Sequence, residues 1–451
     1  MQSDDSGSGN GVPVDPSGIP GGLMQRFALG LRARGTQWMV AGAGLAAFGA
    51  YLFQLFGTRA LGGTRYAPIG TLWTIQYLLV SVALLPVETY VARESLRASG
   101  RDPRWTGVSY ARLWLWLSVL ALASTAACWL LREQLFHGLH DLALVVGVLV
   151  IVYAAFLIVR GRLAGAERYK AYGLVTATES MTRAGLAAVA AGLAAGARVF
   201  AWIMPVGPAL AAAWWLLLRR TRLEGARTPT SQTTAPGNAK FFASTTAANA
   251  IMQMLLAGGP LLLAFLHASP EEISIFFVTV TAVRVPLVFA FGGMLSRLLP
   301  TFMRLGAGDV DHRGPTVVAI KIAIGTLVAA ALLGIAAARV GAQVVAFLFG
   351  KSFEPPWWLA AGATVGVVLA TGSIVLYQLL IARGGEVRGL IAWCVALIAA
   401  ALAVALTNGS PTARAVVGLV TGETIALVGL VAAAGRMASP FRHSIRSPHG
   451  P

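Results

Sequence analysis

The chain has 451 residues, of which 57% are hydrophobic and 12% charged, with a mean hydropathy of +0.71. Soluble domains run near ~25% charged, so this composition excludes a soluble enzyme of the same size and, for most of the chain, intrinsic disorder. A formal net charge of +17 would suggest nucleic acid on a soluble protein; here the basic residues sit between apolar runs, as the topology rule for cytoplasmic loops demands, and no nucleic-acid partner is read from it.

Residues 1–25 open with a polar Gly/Ser/Pro-rich stretch, an expected disordered cytoplasmic N-terminus without the apolar core of a cleavable signal. Twelve apolar stretches follow, at about 36–56, 68–91, 108–131, 140–159, 171–194, 199–218, 241–266, 273–298, 316–338, 356–382, 389–407 and 413–435. Each is near the ~20 residues that cross a bilayer as a helix. Within the seventh, Gly258-Gly259-Pro260 is the strongest kink signal. The longest polar interruption, 219–240, divides the spans six and six and reads as a cytoplasmic linker. The expected organisation is therefore an N-lobe over 26–218, a C-lobe over 241–435 and a basic cytoplasmic tail over 436–451. With both termini inside, 26 of the 35 Lys and Arg residues lie on the cytoplasmic side and seven outside, while Arg183 and Arg284 fall within spans. That bias predicts a multi-pass protein of the bacterial plasma membrane with both termini in the cytoplasm.

No catalytic machinery is legible. Cys128 and Cys394 both lie in apolar runs, which indicates neither a disulfide framework nor a cysteine metal site. No Walker motif occurs, the external loops are short, and the first of them, GTRALGGTRY, carries no carboxylate. The chain is read as a non-enzyme without metal or cofactor.

Ionisable residues at mid-bilayer cost at least ~2.5–3.5 kcal/mol on insertion scales, so each is a functional candidate. Glu179 and Arg183 are four residues apart in TATESMTRAG and share one helix face. They form either an intrahelical ion pair or a wet-cavity pair in which Arg183 is free to meet an anion. Arg284 lies in FFVTVTAVRVPLVFAFGG with no acidic neighbour one turn away. It must face protein or water, either paired with Glu179 or Glu423 or binding phosphate, which guanidinium matches bidentately. Glu88 sits near a span end, where snorkelling to Arg93 or to the interface explains it. Glu423, in GLVTGETIALVG, is deep enough to pair or to couple to an ion.

Four patterns carry a family resemblance: GAYLFQLFGTRALGGTRYAPIGTLWTI leading to LLPVETYVARESL; GRLAGAERYKAYGLVTATESMTRAGL; VTAVRVPLVFAFGGMLSRLLPTFMRLGAGD; and VVAFLFGKSFEPPWWLAAG followed by YQLLIARGGEVRGL. Their order over the twelve spans resembles polysaccharide and lipid-linked oligosaccharide flippases of the multidrug/oligosaccharidyl-lipid/polysaccharide (MOP) superfamily. The resemblance implies an all-α polytopic membrane protein with twelve transmembrane helices in two pseudo-symmetric six-helix lobes around a central cavity. It implies transport of a polyprenyl-pyrophosphate-linked glycan precursor by alternating access, with Arg284 and Arg183 holding the pyrophosphate. Glu179, Glu423 and Glu88 are then the candidates for ion coupling or charge pairing. The implied partners are membrane lipids, a coupling ion (H+ or Na+) and polysaccharide polymerases or glycosyltransferases. The first span lacks the basic cavity residue of that family, which leaves room for a MATE-like small-molecule or drug antiporter or another twelve-span solute transporter. The stretches YAAFLIVRGR and YQLLIARGGE echo one another, with Tyr153 and Tyr377 each preceding an arginine.

Overall fold

Hydrocarbon offers no water to satisfy backbone N–H and C=O groups, so spanning segments form helices or closed barrels, and continuous apolar runs of ~20 residues select helices. In the computed structural model every described element is helical; the structure describes residues 36–99, 110–219, 239–284, 302 and 314–436. The first half comprises α1 (Thr36–Leu78), a π-turn (Leu79–Leu84), α2 (Leu85–Ser99), α3 (Tyr110–Leu130), the short α4 (Arg132–Phe136), α5 (Leu142–Gly165), α6 (Tyr169–Gly192) and α7 (Ala197–Arg219). The second comprises α8 (Ala239–Ala257), α9 (Gly259–Phe265), α10 (270–284), α11 (Gly314–Phe349), a 3-10 turn (Lys351–Phe353), α12 (Trp357–Ile381), α13 (Glu386–Leu406) and α14 (Pro411–Gly435). Among the described residues eight helical stretches are long and apolar enough to cross a membrane, or nine with the bent pair α8–α9 counted as one span. The chain is thus an all-α polytopic membrane protein.

Helical residues occupy each of the twelve expected stretches, the eighth being described only to 284. The expected N-terminal segment 1–25, most of the linker 219–240 and the tail beyond 436 lie outside the described residues. Two expected loops are helical instead. The stretch 57–67 belongs to α1, which changes direction at Gly62, and α11 runs to Phe349 rather than stopping near 338. Gly62 has φ 71° and ψ 175°, a region of backbone space essentially closed to residues with a side chain. It reverses the chain without the polar loop the composition suggested.

The second break falls on Gly258-Gly259-Pro260, where α8 and α9 are bent by 68°. Pro260 sits in the first turn of α9, where its missing N–H costs nothing. At Gly259 a Cβ would lie 2.2 Å from Cε1 of Phe276, so only glycine lets α10 approach the break this closely.

Packing follows the small residues, which allow backbones to approach where van der Waals contact is the main attraction between helices. In the first half α1 lies along α6, α3 and α7 flank α5, and α6 packs on α7. A Cβ on Gly42 would stand 2.4 Å from Cα of Gly173, so the α1–α6 seam is backbone on backbone. In the second half α8 packs on α13, α11 and α14 flank α12, and α13 packs on α14. The halves meet along α1. Arg59 donates from Nε to the carbonyl of Leu348 (3.0 Å) and from Nη2 to that of Phe347 (2.6 Å), capping the negative end of α11. Tyr66 meets Phe353 edge-on at 6.1 Å, and Tyr51 meets Phe349 edge-on at 5.6 Å.

Candidate functional site

Where α1 faces α8, α9 and α10, the halves leave a cavity of about 210 Å³. Its wall is aromatic, from Tyr51, Trp73, Tyr77, Phe276 and Phe277, with Gln54, Thr74 and Thr281 as neutral polar groups and Arg284 as the one charged lining residue among those described. The bends create this space: α1 returns past itself after Gly62, and the break at Gly258 turns Ala257 and Pro260 toward it. Arg284 is half-buried, its guanidinium carbon 4.1 Å from the centroid of the Tyr77 ring. That is a cation–π contact, which supports the charge without neutralising it. Among the described residues no carboxylate pairs with Arg284, and neither Glu179 nor Glu423 lines the cavity.

The Tyr77 hydroxyl donates to Oε1 of Gln253 at 2.8 Å, and Nδ2 of Asn249 donates to the carbonyl of Ser81 at 3.2 Å. The second half of α1 and the π-turn that follows it are therefore tied to α8 beside the cavity. Gln54 is 4% exposed and its Oε1 has no hydrogen-bond partner among the described residues. A ligand N–H or O–H would satisfy that acceptor.

Arg183 does not line the cavity. Its guanidinium lies against the Trp73 ring, 4.9 Å from the centroid, and both it and Glu179 are almost wholly buried. Nη2 of Arg183 is 2.8 Å from Oε1 of Glu179. The same oxygen accepts from the Tyr153 hydroxyl at 2.7 Å, which in turn accepts from Nε2 of Gln76 at 2.8 Å. Ser180 donates to the other carboxylate oxygen. A Cβ on Gly207 would meet the Glu179 carbonyl at 2.4 Å and Cγ of Arg183 at 2.6 Å, so α7 clamps the pair from behind. Nε and Nη1 of Arg183 find no partner in this seam. Of the two arrangements the sequence allows, the structure shows the intrahelical pair.

The Arg93 side chain, one of the expected partners of Glu88, lies outside the described residues; among those described, Glu88 is buried and charge-paired. Its Oε1 accepts from the Tyr172 hydroxyl at 2.9 Å and lies 3.3 Å from Nη2 of Arg160 on α5. Arg160 also donates to Tyr172 and lies over that ring, 4.7 Å from the centroid. This triad joins α2, α5 and α6. Glu423 is fully buried in α14, and neither carboxyl oxygen has a hydrogen-bond partner among the described residues. Trp393 on the neighbouring α13 is likewise fully buried with its Nε1 unpartnered.

Charge scanning alone misses Gln54, Trp73 and Tyr77. Their signal is aromatic and amide side chains within apolar stretches that need none for spanning, and only the bend at Gly62 gathers them around one space.

No protein-family model matches the chain. An "uncharacterized protein" of Mycobacterium tuberculosis is 26% identical over 339 residues, covering 71% of this chain and 72% of that one. Among solved structures, the inward-facing conformation of a multidrug resistance MATE family transporter of the MOP superfamily superimposes with a TM-score of 0.62 at 12% identity, over 87% of this chain and 98% of that one. The outward-facing conformation of such a transporter gives 0.55 at 15% identity, over 90% and 94%. A MATE structure in a bent conformation gives 0.54 at 15% identity, over 90% and 98%. At these identities the likeness establishes the fold, which is that of MATE-family transporters of the MOP superfamily.

The geometry assigns Arg183 to the framework, with a measurable consequence. Glu179→Ala strands a buried guanidinium and is expected to destabilise the protein by about 3–5 kcal/mol, whereas Glu179→Leu combined with Arg183→Met removes both charges and recovers most of that loss. Thermal unfolding in detergent checks this; a Glu179→Ala protein as stable as wild type contradicts it.

Proposed function

We propose that this chain is a membrane carrier, not an enzyme, that moves a small amphiphilic anion across the bilayer by alternating access. The observation that carries the reading is Arg284, a guanidinium that has no carboxylate partner among the described residues and lines an aromatic-walled cavity to which no described carboxylate contributes. Electrostatics in a concave, low-dielectric space decide which ligand sign enters. A cationic drug would meet repulsion from Arg284, whereas a carboxylate or phosphate gains a charge-assisted hydrogen bond. The ring faces of Tyr51, Trp73 and Tyr77 suit a planar or aliphatic body.

The packing supports two related lobes. Counting the twelve stretches in order, the third and ninth (in α3 and α11) are each 17% buried, the fourth and tenth (α5 and α12) 67% and 72%, and the sixth and twelfth (α7 and α14) each 50%. The same neighbours recur six stretches apart: α1 on α6 as α8 on α13, α3 on α5 as α11 on α12, and α6 on α7 as α13 on α14. Such a repeat lets two rigid bundles rock about a ligand held between them. With the N-terminus inside, Gly62 lies at the outer face. Arg59, Tyr51 and Tyr66 bridge to the end of α11 and the 3-10 turn there, which makes that face the closed gate of an inward-facing state. The better superposition on the inward-facing relative fits this reading.

Rocking needs a driving force. Glu423, fully buried and without a hydrogen-bond partner among the described residues, needs a counter-ion whenever it is ionised, and H+ or Na+ supplies one. We assign it, rather than Glu179 or Glu88 with their guanidinium partners, to the coupling ion.

A second reading rests on the same arginine. A guanidinium on a cavity between lobes also suits the pyrophosphate of a lipid-linked glycan, with the polyprenyl tail left in the bilayer and glycosyltransferases or a polymerase on either side of the step. The modest cavity and the multidrug relatives favour the smaller cargo.

Proteoliposome uptake separates these readings. Small aromatic carboxylates or phosphates are expected to move, small organic cations not; Arg284→Ala abolishes transport at unchanged thermal stability, and Glu423→Gln removes its dependence on an ion gradient. Full transport by Arg284→Ala contradicts the proposal, while export of a lipid-linked glycan without small-anion uptake selects the second reading. For the gate, a Cβ on Gly63 would lie 3.3 Å from the Ser352 carbonyl. Gly63→Cys with Ser352→Cys, in a background with Cys128 and Cys394 replaced by serine, is expected to lose transport on oxidation and regain it on reduction. Undiminished transport by the oxidised protein contradicts alternating access across this face.

A further inference from the structure

A second concavity of about 370 Å³ lies on the far side of the second half, between α13 and α14. These helices are antiparallel neighbours drawn together by small residues. A Cβ on Gly429 would stand 3.2 Å from that of Ala392. Ala392, Gly429, Ala432 and Ala433 therefore form a floor, and Ile391 and Val428, 58% and 59% exposed, form the rims. The groove is apolar along its length except at one end. There Arg388, in the first turn of α13, and Arg436, which follows the last residue of α14, both line it.

Both arginines are exposed, and neither has an ion-pair partner among the described residues. Residues 437–451 contain no Asp or Glu that could supply one. Glu386, two residues before Arg388, falls on a different helix face and lies near Tyr377. An apolar trough capped by two guanidiniums that have no ion-pair partner among the described residues is complementary to one class of molecule, a lipid with a negative headgroup: an acyl chain fills the trough, and the two forks share the phosphate oxygens. The positive-inside bias puts this end at the cytoplasmic leaflet, where juxtamembrane basic residues meet anionic headgroups.

We infer that the α13–α14 groove is a binding site for one anionic glycerophospholipid of the cytoplasmic leaflet, held by Arg388 and Arg436. It is separate from the central cavity, and this lipid is a resident ligand rather than cargo. The inference does not depend on which solute the cavity carries.

Native mass spectrometry of the full chain tests it after equilibration with mixed micelles containing phosphatidylglycerol, phosphatidylcholine or a polyprenyl phosphate. Wild type is expected to retain one phosphatidylglycerol at collision energies that strip phosphatidylcholine. Arg388→Gln with Arg436→Gln lowers that retention to the phosphatidylcholine level, and Ala432→Trp, which fills the trough from its exposed side, lowers retention of both lipids. Thermal unfolding of the same variants confirms that they are folded. Equal retention of the two glycerophospholipids by wild type, or retention unchanged in both variants, overturns the site. Retention of the polyprenyl phosphate in preference to phosphatidylglycerol overturns it as well, because the groove is then a cargo site.

Discussion

A guanidinium in the interior of a bilayer protein must be supported by something, and the means of support reveals its use. Three arginines of this chain meet that constraint in three ways. Arg160 leans on Glu88 and Tyr172, which ties α2 and α6 to α5. Arg183 is neutralised by Glu179 behind Trp73, with Tyr153, Gln76 and Ser180 completing the network. Arg284 has an aromatic face and an open cavity. The first two are charges made inert by their surroundings, and they fix the helices around them. The third keeps its charge available.

Trp73 links the two kinds of site. One side of its indole lies against the Arg183 guanidinium, it stacks on Phe53 at 5.3 Å, and it also lines the cavity. The buried pair thereby holds part of the cavity wall in place without lining the cavity itself. For the proposed carrier a fixed wall matters because a ligand displaces a two-state equilibrium only through its differential affinity for the two states, and a wall that moved with each ligand would blunt that difference.

Much of the architecture is legible from residues alone. Helical stretches could be located because hydrocarbon permits little else, and the Gly258-Gly259-Pro260 break follows from backbone chemistry. The turn at Gly62 was hidden because one glycine with positive φ does the work expected of a polar loop. At the site, charge cost singles out the five ionisable candidates but not their partners. Glu179 and Arg183 announce their pairing by spacing, whereas Glu88 and Arg160 are 72 positions apart in the numbering and nothing local connects them. The aromatic wall was illegible for the same reason: Tyr51, Trp73 and Phe276 become neighbours only through two bends and the meeting of two halves.

Arg284, without a carboxylate partner among the described residues, gives the cavity an effective positive charge in the proposed carrier. Thr281 lines the same cavity one turn before Arg284. In a protein with Cys128 and Cys394 replaced by serine, Thr281→Cys offers a thiol there, and its rates of reaction with an anionic and a cationic methanethiosulfonate of similar size report the local potential. The account predicts faster reaction with the anionic reagent and loss of that preference when Arg284→Gln is added. A faster cationic reagent, or a preference unchanged by Arg284→Gln, contradicts it.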